Sequence, residues 1–141
     1  MKRRFATPRW IAIMTLALVT LMLSCGKSGG GNNTPADATL AVTLTPPAGS
    51  TQPPAPSSGT FSLNVRITST LPSKGVTISV IATPDGSATA FFTKTETSTK
   101  ASNDYTITGT PVGQVCLVTV TVTSLNTSSN TWTGSYRYSA K

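Results

Sequence analysis

The stretch "VCLVTVTVT", Val115 to Thr123, decides the fold. Cys116, Val118, Val120 and Val122 fall on one parity, and Leu117, Thr119, Thr121 and Thr123 on the other. A period of two with β-branched residues on both parities describes a strand with one buried face. The strict alternation of threonine with apolar residues from Val118 to Thr123 gives no convincing helical periodicity.

A second segment repeats the pattern. In "TFSLNVRIT", Thr60 to Thr68, Phe61, Leu63, Val65 and Ile67 alternate with Ser62, Asn64, Arg66 and Thr68. Five weaker segments join these two: "TLAVTLT" from Thr39, "GVTISVIAT" from Gly75, "ATAFFTKTETS" from Ala88, "YTITGT" from Tyr105 and "TWTGSYRY" from Thr131. Between the third and fourth, "TPDGSA" reads as a turn, since Pro84 presets φ and Gly86 accepts positive φ. Seven short strands at this spacing predict an all-β, seven-stranded antiparallel sandwich over residues 38–141. "TPPAGSTQPPAPSSG", Thr45 to Gly59, reads as an exposed, extended proline-rich connection that could serve as a recognition loop. Phe91 and Phe92 are adjacent, so a regular strand would expose one of them.

Working outward to the N-terminus, residues Trp10 to Ser24 carry no charge and follow Lys2, Arg3, Arg4 and Arg9. The run suits the apolar region of a secretory signal and is short for a membrane-spanning helix, which needs about 20 residues. It stops at "MLSC". This stretch resembles the lipobox of bacterial lipoproteins, with Ser24 at the small position before cleavage and Cys25 as the acylated residue. Met22 fits as an aliphatic, and Leu23 departs from the usual small or hydroxylated residue. The resemblance implies a signal-peptide helix over residues 1–24, a lipidated flexible tether over 25–37 rich in Gly, Asn and Ser, and a membrane partner reached through Cys25. It also implies palmitate-type acylation and the cell envelope of a Gram-negative bacterium. Gly26 in place of an aspartate favours the outer membrane. Which side of that membrane the domain faces stays open, because Lys27 stands where surface-exported lipoproteins carry acids. An ordinary secretory signal cleaved nearby, or an uncleaved anchor, is the alternative.

The chain has a formal charge of +7. Removing the four basic residues of the signal leaves +3. Lys74, Lys94, Lys100, Arg66, Arg137 and Lys141 are scattered, whereas nucleic acid requires a concentrated basic face, so nucleic-acid binding is not expected. With Cys25 acylated, Cys116 has no intrachain partner and is expected as a buried core thiol.

The stretch "ITGTPVGQVCLVTV", Ile107 to Val120, resembles the segment between the fifth and sixth strands of fibronectin type III domains. Ile107, Gly109, Gly113, Val118 and Val120 match that pattern. Thr110 stands where leucine is usual, Pro111 comes one residue early, and Cys116 occupies the position of a core tyrosine. The resemblance implies an immunoglobulin-like fold and brings no catalytic residue.

There is no histidine, which excludes Ser-His-Asp and Cys-His catalysis and removes the commonest zinc ligand. The acids are Asp37, Asp85, Glu96 and Asp104. Asp85 and Glu96 are the pair a fold could unite, and no motif marks a site around them. Neither calcium nor any cofactor is expected from four scattered acids. The sequence therefore reads as a non-enzymatic binding or structural protein whose partner is an envelope protein or a polysaccharide. The candidate ligand-binding residues are Trp132, Tyr136 and Tyr138, which share one parity of the last strand. Exposed, they would form a stacking strip for sugar rings. The competing reading, which the sequence favours, puts them against the core.

Overall fold

The computed structural model describes residues 37–55 and 60–141; the signal peptide, Ser24, Cys25 and most of the tether lie outside the described residues. Seven strands are formed: β1 (Val42–Thr45), β2 (Thr60–Ile67), β3 (Val76–Pro84), β4 (Phe92–Ser98), β5 (Ser102–Thr108), β6 (Val115–Ser124) and β7 (Thr131–Ser139). Each overlaps one of the seven segments read as strands, and β5 begins three residues before the Tyr105 expected to start it. They make two antiparallel sheets, ordered β1-β2-β5 and β4-β3-β6-β7.

Parity decides the core. Cys116, Val118, Val120 and Val122 of β6 are fully buried, as are Val76, Ile78, Val80 and Ala82 of β3. From the other sheet come Leu44, Leu63, Val65, Ile67, Tyr105 and Ile107, all in the same buried cluster. Each aliphatic side chain buried in this way contributes about 1.5–3 kcal/mol. A one-residue slip of β6 against β3 would replace its valines with threonines, so the register Val80↔Val120 is strongly selected.

Two local expectations are corrected. The fourth strand begins at Phe92 rather than Ala88, because Ser87 N–H donates to Pro84 O at 2.9 Å and closes a turn with Gly86 at φ 81°. Phe91 therefore sits in the bend before β4, its N–H donating to Ala82 O, and both Phe91 and Phe92 pack partly buried against the core.

The proline-rich connection is not a free loop. Residues 49–55 run parallel to β7 along its otherwise open edge. The N–H groups of Gly49, Gln52 and Ala55 donate to the carbonyls of Ser135, Arg137 and Ser139 at 2.7–3.0 Å, and Arg137 N–H donates to Ser50 O at 2.9 Å. An edge strand carries unpaired polar groups that favour such a partner. Proline cannot donate, and here the donors Gly49 and Gln52 lie between Pro47 and Pro53, and Ala55 follows Pro54.

The opposite edge is β4. Its register sets Lys94 against Val80 and Glu96 against Ile78, so the charged residues share the inner parity and Thr93, Thr95 and Thr97 face outward. Inward-pointing charges discourage edge-to-edge pairing with another chain.

The two ends of the molecule differ. Asp37 accepts from Ser124 Oγ and, at 2.8 Å, from Asn126 Nδ2, while Leu40 N–H donates to Asn130 Oδ1 at 3.0 Å. The entering chain is thus tied to the β6–β7 loop. Asp85 N–H donates to Val115 O and Gly113 N–H to Ala140 O at the other end, where the chain reaches Lys141.

Candidate functional site

Trp132, Tyr136 and Tyr138 share the inner parity of β7. Tyr136 is 2 % exposed and Tyr138 3 %, and Trp132 packs partly buried against the core. The indole lies over Gly134, where a Cβ would come within 2.7 Å of Cζ2. The three rings therefore form no exposed stacking platform. Burial pushes the phenols of Tyr136 and Tyr138 above the ordinary tyrosine value.

Two of these rings line a cleft of about 200 Å³ under the proline-rich segment, together with Phe61, Pro46, Gln52 and Pro53. Phe61 and Tyr138 have ring centroids 4.3 Å apart. The Tyr136 hydroxyl is buried with no hydrogen-bond partner among the described residues.

Cys116 is a free, fully buried thiol, and burial raises its pKa. Asp85 and Glu96, the pair considered for acid chemistry, are engaged separately. Arg137 Nε donates to Asp85 Oδ2 at 2.9 Å and Nη2 to Oδ1 at 3.4 Å, and Lys94 lies 3.7 Å from Glu96. The Arg137 guanidinium holds the Asp85 carboxyl below its usual range. Among the described residues no three Cys, Asp or Glu side chains come together as a metal site would require.

A further surface feature lies on the larger sheet. The outer face of the four-stranded sheet carries hydroxyl side chains in rows that cross the strands. One row is Thr97, Thr77, Thr123 and Thr131; the next is Thr95, Ser79, Thr121 and Thr133; a third is Thr93, Ile81, Thr119 and Ser135. Neighbouring hydroxyls pair: Thr95 Oγ1 donates to Ser79 Oγ at 3.2 Å, and Thr123 and Thr131 lie 3.1 Å apart. Beside the β6–β7 loop this face sinks into a depression of about 600 Å³, lined by Thr77, Ser79, Thr121, Thr123, Leu125 and Asn126 among others. Sequence reasoning had the outward threonines of the sixth strand in view and treated them only as the solvent side. The missed signal was "TKTETS", where threonines alternate with charges. Which parity faced outward depended on the pairing with β3.

The described residues thus form an all-β fold of two antiparallel sheets around one core, with a hydroxyl-rich face on the larger sheet whose one charged outward position is Arg137. Comparison with protein-family models, with curated proteins and with solved structures finds no match.

Proposed function

We propose that the chain is a lipid-anchored protein of a Gram-negative cell envelope, held in the outer membrane through acylated Cys25, whose immunoglobulin-like domain is a non-enzymatic binding or structural module. The observation that carries this reading is a junction. The charge-free run ends at "MLSC", and twelve residues after Cys25 the carboxylate of Asp37 is already bonded to Ser124 and Asn126. A short tether would then join the lipid to a domain gripped at one end.

The strand order supports the immunoglobulin-like reading. Both sheets are antiparallel, and the sixth strand lies between the third and seventh, as in the C-F-G sheet of immunoglobulin sandwiches. The fourth strand pairs with the third instead of the fifth, which sets the arrangement apart from the constant-type order. The envelope partner is a protein or a polysaccharide.

Replacing Cys25 by Ala tests the anchor. The variant is expected to leave the membrane fraction or to accumulate unprocessed. A Cys25→Ala protein that is normally processed and still membrane-bound overturns the reading.

A further inference from the structure

We infer that the outer face of the β4-β3-β6-β7 sheet binds an extended, neutral glycan chain, with the depression beside the β6–β7 loop as its main subsite. The inference rests on the reading of the domain as a binding module and names the ligand class.

Three observations point to this occupant. The first is charge. The outward positions of the four strands include one charged residue, Arg137, and its guanidinium is bonded to Asp85. Composition alone does not explain this, because the smaller sheet places Arg66 and Asp104 on its own outer face, and β4 turns Lys94 and Glu96 to the inner parity. A face whose one charge is already paired offers an ionic polymer little to pair with and imposes little cost of desolvating ions on a neutral one. The second is chemistry. A threonine presents a methyl and a hydroxyl side by side, matching the C–H and O–H groups that alternate around a pyranose. A hydroxyl has one donor and two acceptor positions, so each Thr–Thr or Thr–Ser pair keeps a donor and several acceptors free. The third is shape. A depression of about 600 Å³ is within the usual range of ligand sites, about 300–1,000 Å³. The hydroxyl rows continue from it, spaced about 4.8 Å between strands and about 7 Å along them. Single contacts of this kind are weak, and a polymer gains by making many at once.

The experiment uses the full chain in detergent micelles, passed over cellulose, chitin and starch, with alginate as the anionic comparison. Retention on at least one neutral glycan, exceeding that on alginate, is expected. Thr121→Val with Thr133→Val removes two adjacent hydroxyls and keeps strand-forming residues; retention should fall at least tenfold. Thr77→Glu, which puts a charge into the depression, should do the same. Thr106→Val, on the smaller sheet, should bind as the parent does. Thermal unfolding of each variant verifies that it is folded. The inference is overturned if no neutral glycan retains the parent, if alginate retains it as well, or if both face variants bind like the parent. Solubilised protein makes the result independent of acylation, so failure here and failure of the Cys25→Ala test are separate outcomes.

Discussion

The hydroxyls of Thr110 and Tyr138 lie 2.7 Å apart, both residues buried and 28 positions apart in sequence. Thr110 precedes β6, and Tyr138 stands on β7 directly opposite Cys116. Cys116 is buried in the core, and the phenol comes from the neighbouring strand. The buried hydroxyl pair thus ties the segment before β6 to the end of β7.

Removing either partner strands the other. Tyr138→Phe and Thr110→Val should each destabilise the domain by about 1–3 kcal/mol. The double variant should cost clearly less than the sum of the two, since no polar group is then left unpaired. Additive losses in denaturant unfolding would show that the hydroxyls do not interact.

Tyr105, Tyr136 and Tyr138 are the three tyrosines of the chain, and all are buried. Burial raises each phenol, and Glu96 raises Tyr105 further. Because the folded values lie above the unfolded value of about 10, their contribution to stability is fully present below that pH and is lost as pH rises beyond it. Phenolate absorbance should therefore appear in a single step together with the loss of β-structure. Titration of any tyrosine in the folded state near pH 10 would contradict its burial.

The Cys116 thiol should label slowly in the native protein and rapidly in denaturant, because the reactive thiolate is disfavoured and enclosed. Cys116→Ser should cost about 1–3 kcal/mol by burying a hydroxyl in an apolar site. Fast native labelling would remove Cys116 from the core.

Gly134 is held small by the indole of Trp132. Gly134→Ala should destabilise by about 1–3 kcal/mol and drive the ring outward, with a red shift in its emission. In a Trp132→Ala background the same alanine should cost little. Equal costs in both backgrounds would mean the ring does not rest on Gly134.

Much of the fold was legible because the strands of the inner sheet positions are strictly two-periodic. Val118, Val120 and Val122 admit one buried face, and so do Leu63, Val65 and Ile67. The proline-rich segment is extended and largely exposed, as read, but its pairing with β7 was not legible, for a physical reason. Its composition suits an exposed extended chain, and only the open edge of β7, a tertiary fact, supplies the carbonyls that Gly49, Gln52 and Ala55 need. The aromatic strip was located correctly by parity, yet parity alone does not say which side is the core. That was settled by the pairing of Val118 with Tyr136 and of Cys116 with Tyr138. The hydroxyl rows were the least legible feature, since Thr97, Thr77, Thr123 and Thr131 come from four strands and meet only through register.

The entry and exit of the chain at opposite ends have a mechanical consequence. Tension applied between Asp37 and Lys141 would load β1 and β7 lengthwise, in shear, so that their ladder bonds resist together and not one after another. β1 faces β2 through four residue pairs, whereas β7 faces β6 through nine. The first strand is the part that would yield, after the Asp37 and Leu40 contacts, leaving the larger sheet and its hydroxyl face under load but intact.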